Sequence, residues 1–509
     1  MDTQPVPVMK IGLFLEKNSL ALQRGMSSAG ITLGILAGVY LRYSHYAANR
    51  SLWLDTAALA VNMIEKSYAG LLTHLDLGQH APPGFLLVSK FIGSRYNYNE
   101  LALTAFPFFC SLLSLFLFLY LCFLVLEHRK IALAFLPFAL STTAIYYAGE
   151  FKQYSVDLFF SVLLVTLAVL LIRRHLGGKY LLGWALAGLV SVWFSHPAII
   201  VLSGVWLAVF LTVLLNKEPA SQVYKMLTIG VVWVLDYLIF FYTVLYPSSL
   251  QGGVNRGMSI WFARPPVDGA SLRWHVNTFF GLFQYPLGFD GAFLIASVCF
   301  LIGIVVYYQK RRDELFIFSL PLLILMVVSF LGRYPVATGR YEIYSRWMLF
   351  TIPLFYIFIA EGASYLADQS KSILIYGFIF LLLLFYLGFS LNTKSFMHQE
   401  TRPLIEYYYQ NREGNDDIYV YASSVPAFRY YNRLYHGHFI EGKASVKDLG
   451  KFGGEVKDLV RGRRIWFLFS HVYGDEECRL VGCLDSIGTR REARLERGAS
   501  LYCYDFSAR

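Results

Sequence analysis

Charge is scarce in this chain. Lys, Arg, Asp and Glu supply 15% of its 509 residues, where a soluble globular domain carries about 25%, so a purely soluble enzyme is excluded. The formal net charge of +10 has no arginine-rich tail or RNA-binding motif behind it. Its basic excess sits in short clusters between apolar runs, which excludes nucleic acid as a partner and follows the positive-inside pattern of membrane proteins. The stretch before residue 28 lacks the n-region, short apolar core and small-residue cleavage site of a signal peptide, so the first helix is expected to stay as an anchor. Cysteine is limited to six positions. Cys110, Cys122 and Cys299 fall in apolar runs and read as packing residues. Cys478, Cys483 and Cys503 lie in the tail with no zinc-site spacing. A disulfide between two of them, leaving an odd thiol, and three free thiols are the two open outcomes. No internal repeat and no low-complexity tract is present.

What the chain has in quantity is oil: 56% of its residues are hydrophobic and its mean hydropathy is +0.49. Apolar runs of about 17–25 residues recur, long enough to cross a hydrocarbon core of about 30 Å. They are continuous rather than alternating, which excludes a membrane β-barrel. The expected fold class is a polytopic α-helical membrane protein with about eleven transmembrane helices. The runs fall at 26–42, 101–125, 131–148, 154–172, 180–194, 197–215, 227–246, 291–308, 315–331, 347–366 and 372–391. The connections "EHRK" (127–130), "RRHLGGK" (173–179), "NKEPASQVYK" (216–225), "QKRRDE" (309–314) and "DQSKS" (368–372) then share one side, expected to be cytoplasmic. Segments 43–100, 149–153, 247–290 and 332–346 and the tail from about 393 fall on the other side. This sidedness depends on a break at "SHP" (195–197), since a single span over 180–215 would flip every later assignment.

The first outer segment is patterned. "DTAALAVNMIEKSYAGLLTHL" (55–75) has helical spacing with Asp55 as N-cap, and "PPGFLLVSKFIG" (82–93) is a second short amphipathic piece. Both are expected to lie along the membrane surface. Beyond 393 the composition turns soluble, and "DDIYVYASSVPAFRYY", "RRIWFLFSHV" and "ASLYCYDF" read as strands of a small α/β domain. The expected domains are therefore 1–392, membrane-embedded and catalytic, and 393–509, extracytoplasmic.

The outer segments gather polar groups against apolar walls. "YYAGEFKQYSVDLFF" (146–160) presents Glu150, Lys152 and Tyr154; "SLWLDT" presents Asp55; "GQHAPPGF" presents His80; "WFSHPA" presents His196. "GRYPVATGRYEIYSRW" carries Arg333, Arg340 and Arg346 on the side where basic residues are disfavoured. Arginine's planar fork matches phosphate oxygens, so this cluster suits a phosphate or pyrophosphate lipid. Asp55 and Glu150 suit general-base work or coordination of a divalent cation such as Mg or Mn.

The ordered set "SLWLDTAALAVNMI", "QHAPPGFLLVSKFIG", "GEFKQYSVDL" and "GRYEIYSRWMLFTIPL", followed by the soluble tail, resembles the GT-C class of integral-membrane glycosyltransferases. The branch it resembles includes the bacterial protein O-mannosyltransferases and the lipid A aminoarabinose transferase. The resemblance implies a transferase of the plasma (inner) membrane that takes a polyprenyl-phosphate sugar donor. The acceptor would be a glycan, lipid or protein, reached at the outer face with inversion at the anomeric carbon. It maps the acid of the first outer loop to Asp55 and that of the next to Glu150, with Lys152 as a phosphate ligand. The late arginine falls on Arg340 or Arg346, between which the sequence does not choose. The second acid of an acidic pair falls on Thr56, a departure that shifts weight to Asp55 acting alone or with Glu150. A polytopic lipid or polysaccharide transporter or flippase is the alternative. It expects buried charge in mid-membrane, for which Asp236 is the main instance.

Overall fold

The computed structural model describes residues 7–247, 260–336, 338, 345–369, 399–414, 416–443, 449–459 and 463–507. The apolar run 372–391 and Arg340 lie outside the described residues. The first helices are α1 (Pro7–Ala47), α2 (Leu54–Glu65), α3 (Pro83–Arg95), α4 (Glu100–Val125), α5 (His128–Ala139) and α6 (Thr142–Ala148). They are followed by α7 (Tyr154–Arg173), α8 (Gly178–Phe194), α9 (Ala198–Leu215), α10 (Ala220–Phe240) and α11 (Gly269–Gln284). Next come α12 (Phe293–Lys310), α13 (Arg312–Phe330) and α14 (Ile352–Gln369), the last entered through a 3-10 turn over Arg346–Thr351. The chain divides into two compact units. One comprises 1–47, 81–85 and 104–394, and the other 48–80, 86–103 and 395–509.

The first unit is the membrane body. Among the described residues seven helices are long and apolar enough to cross a membrane, or eight if α5 and α6, bent by 53° at their junction, form one span. The protein is a multi-pass membrane protein. The "SHP" break separates α8 from α9.

The bend between α5 and α6 leaves carbonyls at the end of α5 without helical partners. Arg42 of α1, fully buried, supplies them. Its guanidinium donates to Ala139 O at 2.7 Å, Gly38 O at 3.0 Å and Ser111 Oγ at 3.1 Å. Where α12 crosses α14, Gly303 and Gly362 let the backbones touch. A Cβ on Gly362 would overlap the Cys299 carbonyl, and one on Gly303 the Phe358 carbonyl. Small residues serve this purpose in membrane bundles because lipid provides no hydrophobic drive to press helices together.

One end of this body gathers the basic connections. Arg129 donates to Asp368 at 2.8 Å, Lys130 meets Glu361 at 2.8 Å, and Arg173 meets Glu314 at 2.6 Å. Arg311 caps α4 through Val125 O. α7 starts at Tyr154 and ends at Arg173, so the turn holding Glu150 and Lys152 lies at the opposite end, about 30 Å away.

In the second unit a five-stranded mixed sheet runs in the order β2-β1-β3-β5-β4. Its strands are β1 (Asp417–Val420), β2 (Ile440–Glu441), β3 (Arg464–Ser470), β4 (Thr489–Glu496) and β5 (Ala499–Asp505). β1 pairs in parallel with β2 and β3, while β5 pairs antiparallel with β3 and β4. The helices are α15 (Thr401–Asn411), α16 (Val425–Asn432), α17 (Leu449–Leu459) and α18 (Glu476–Ile487). Tyr419, Phe452, Phe467, Leu480 and Tyr504 are among the side chains that fill the core. The expected strand over "DDIYVYASSVPAFRYY" is cut to its first part, because Pro426 opens α16 and cannot donate within a central strand. The three tail cysteines are free: Cys478 is exposed, Cys483 partly so, and Cys503 is buried in β5. With Cys478 and Cys483 on α18 and Cys503 within the sheet, no disulfide joins them.

Two expectations for the first outer segment are corrected. α2 does not keep a free polar face as an amphipathic surface helix would, since every residue from Thr56 to Met63 is buried and α2 packs against α16. It ends at Glu65 rather than continuing to residue 75, because Lys66 turns extended. Polar ties join this segment to the tail. Arg402 meets Glu100 at 3.0 Å, Ser51 donates to Glu400 at 2.7 Å, and Tyr430 donates to Tyr98 O at 2.6 Å.

Candidate functional site

The expected site residues divide between the two units. In the first, Gly149 ends α6 where a Cβ would collide with the His45 backbone, so glycine alone lets the 150–153 turn close against the end of α1. Glu150, Lys152 and Tyr154 are all buried, at 6%, 4% and 5% exposure. That excludes the ordinary solvated turn, because charged side chains are rarely buried without a purpose. Lys152 N–H donates to Glu150 O at 2.8 Å. The Tyr154 ring lies 5.4 Å beneath the Arg346 guanidinium, which also meets the Trp347 ring at 5.1 Å. Ser161 donates to Phe350 O at 2.7 Å and fixes α7 against the 3-10 turn that carries Arg346. Tyr334 donates to Trp347 O at 3.0 Å.

His196 follows α8, whose Phe194 packs on Phe160 of α7 with centroids 5.6 Å apart. The α8–α9 break therefore stands at the same end as Tyr154. His196 itself faces Phe240 at 6.2 Å. Arg333 is exposed in the loop after α13. Asp236 accepts from Trp193 Nε1 at 3.0 Å.

In the second unit, Asp55 is not an N-cap. Trp53 holds that position without a side-chain cap, and Asp55 lies inside the first turn. Gln79 Nε2 donates to Asp55 Oδ1 at 3.1 Å. Thr56 is fully buried with its hydroxyl on Trp53 O at 3.0 Å. A second carboxylate at that position would lose its solvation. His80 is exposed.

α2 is held at both ends. Lys90 of α3 donates to Met63 O at 2.6 Å and Lys66 O at 2.7 Å, satisfying its C-terminal carbonyls. At the other end Gln399 Oε1 accepts from Leu54 N–H at 3.2 Å, while Gln399 Nε2 meets His471 Nδ1 at 2.6 Å. Burial lowers the pKa of His471, and the Asp55 charge pulls it partly back. Gln79, Gln399 and His471 escaped sequence reasoning. Gln79 did stand beside His80 in "GQHAPPGF", and His471 ended a legible strand. Among the described residues no group of three His, Cys, Asp or Glu side chains is arranged to hold a metal ion.

No family model matches the chain, and no curated protein sequence matches it. Solved structures do. ArnT from Cupriavidus metallidurans bound to undecaprenyl phosphate aligns with a TM-score of 0.54 at 10% identity, covering 93% of this chain and 97% of that one. Its apo state aligns at 0.55 and 10% identity, covering 94% and 98%. The Archaeoglobus fulgidus oligosaccharyltransferase in complex with Zn and sulfate aligns at 0.51 and 12% identity, covering 94% of this chain and 73% of that one. Both proteins are GT-C glycosyltransferases, and the likeness to the GT-C class read from the sequence holds here in three dimensions, as a shared fold.

Proposed function

We propose that the protein is a glycosyltransferase that moves a sugar from a polyprenyl-phosphate donor to an acceptor at the extracytoplasmic face of the membrane. The observation that carries this reading is the buried Glu150–Lys152–Tyr154 turn under Arg346, at the end of the body away from the basic connections. Its support is the fold shared with a protein bound to undecaprenyl phosphate.

On this reading Lys152 and Arg346 hold the donor phosphate, with Arg340 and Arg333 drawing the headgroup in. Tyr154 fixes the plane of the Arg346 guanidinium so that its donors point one way, which conserves entropy on binding. Asp55, held through Gln79, takes the proton of the acceptor hydroxyl or amine as that atom attacks the anomeric carbon. The bond from sugar to phosphate breaks on the opposite side, and the lipid phosphate leaves with its charge stabilised by the two cations. Glu150 balances their charge while the site is empty.

The test uses undecaprenyl phosphate as probe, titrated against the purified protein with uncharged undecaprenol as reference. Binding is expected to be selective for the phosphate and to weaken at least tenfold in Arg346→Ala and in Lys152→Ala. Equal binding of lipid and reference, or unaltered binding in both variants, would refute the reading. Given a sugar-loaded donor, Asp55→Asn is expected to fold and bind lipid phosphate but to release none on addition of acceptor.

A further inference from the structure

The tail is more than a cover for the second unit. Its residue His471 stands just past the end of the central strand β3, at φ +57°, a left-handed conformation that costs a non-glycine residue about 1 kcal/mol or more. That conformation turns the imidazole toward the start of α2. Trp53 stacks on it at 6.1 Å with 22° between the planes. Gln399 links the ring to the first turn of α2. Its carbonyl oxygen is committed to the Leu54 N–H, so its amide nitrogen is the group facing His471 Nδ1 at 2.6 Å. An amide N–H donates, so Nδ1 accepts, and the neutral ring carries its proton on Nε2. The Tyr473 hydroxyl lies beside the same ring, 3.1 Å from Nδ1 and 3.3 Å from Nε2. On the other side Gln79, placed by the Asn62 clasp on Asp76 at 2.7 Å, donates to Asp55.

From this arrangement we infer that His471 is a positioning residue. With Gln399 and Gln79 it brackets the first turn of α2 and fixes the direction of the Asp55 carboxylate, so the soluble tail supplies part of the proton-accepting apparatus. The inference rests on the reading of Asp55 as the base. In a purely structural role the histidine would be a tie between tail and loop, and its removal would change activity only as far as it changed stability.

Two variants separate these. His471→Gly removes the ring but is unstrained at positive φ. The strain it relieves is expected to offset much of the lost Trp53 stacking and Gln399 contact and to keep its melting temperature near that of the wild type. His471→Asn tolerates the same φ and restores a polar side chain. Carbodiimide labelling of carboxyls, read by mass spectrometry on the full-length protein, needs no activity. Asp55 is expected to react at least threefold faster in His471→Gly and at an intermediate rate in His471→Asn, while exposed Asp475 stays unchanged as internal reference. Where sugar transfer is measured, kcat is expected to fall at least tenfold in His471→Gly, with KM for the lipid donor within twofold, and to recover in part in His471→Asn. Unchanged Asp55 labelling overturns the inference whatever the activity, as does an unaltered kcat. A kcat loss that tracks a lowered melting temperature, without recovery in His471→Asn, overturns it too. Absence of transfer by the wild type refutes the proposed function instead, and the labelling result still decides the place of His471.

Discussion

A single methyl group at the α12–α14 crossing is the sharpest test of the membrane body. Gly362→Ala places a Cβ into the Cys299 carbonyl, and the obstacle is main chain that cannot rotate away. The Cβ would stand 1.9 Å from that carbonyl oxygen, so the helices must part by about 1.5 Å to restore ordinary contact at 3.4 Å. A radial gap of about 0.5–1 Å forfeits a quarter to a half of each dispersion well, and a buried Leu-sized side chain makes about 40–60 such contacts of about 0.1–0.2 kcal/mol. Phe300 alone meets Phe355 at 4.9 Å and Phe358 at 5.5 Å across this seam. One such side chain loses about 2 kcal/mol and several face each other, so the net cost after relaxation is set at about 3 kcal/mol, the upper end for overpacking. The control is Gly183→Ala on α8, where nothing lies within 4 Å of the new Cβ. It should stay within about 0.5 kcal/mol of wild type. The assay is tryptophan-detected thermal unfolding in one detergent, with the monomer fraction on gel filtration as a second readout. If Gly362→Ala melts with the wild type and with Gly183→Ala, the close crossing is refuted.

Three further outcomes are expected. Glu100→Gln removes the charge from the Arg402 pair, whose side chains are 10% and 30% exposed, and should lower the melting temperature by the equivalent of about 1–2 kcal/mol, checked by the same unfolding assay. Burial pulls the Asp416 carboxyl up, but hydrogen bonds from Arg464, the Glu413 N–H and Trp466 outweigh it and hold its pKa below the ordinary value. A depressed carboxyl stabilises the fold above its unfolded pKa of about 3.9 and loses that contribution as pH falls below it. Far-ultraviolet circular dichroism should therefore show acid sensitivity below about pH 4 that is blunted in Asp416→Asn. Maleimide should label Cys478 within minutes and Cys503 only on denaturation, since one thiol is exposed and the other is buried in β5; equal rates would contradict the sheet register.

Of the eleven expected spans, eight coincide with helices, or a bent pair, long and apolar enough to cross a membrane. These were legible because a span declares itself in about twenty consecutive residues. The runs at 26–42 and 180–194 do not meet that measure, and 372–391 lies outside the described residues. The break at "SHP" was legible for the same local reason. What escaped was everything carried by distant pairs. Arg42 looked like the flank of the first span, yet it caps a bend near residue 139. Asp55 looked like a cap because Asp precedes many helices, but here Gln399 attends to the helix start and leaves the carboxylate inside the first turn. Burial of α2 could not be read either: its partner α16 lies far along the chain, and half of its pattern suits an interface with lipid as well as one with protein. The sequence does not choose between Arg340 and Arg346; Arg346 stacks on Tyr154, while Arg340 lies outside the described residues.

The stitched composition of the second unit sets a timetable for biosynthesis. Leu54 and Gln399 are 345 positions apart, which at about 5–20 residues per second means a wait of about 20–70 seconds between their emergence from the ribosome. During that interval the newborn α2 has neither its amide cap nor its packing partner. An unfinished polypeptide thus holds its acid on an unsupported helix. On the proposed function, a stalled or truncated product would be threaded into the bilayer yet inert, and its bare loop would offer proteases a ready mark of incompleteness.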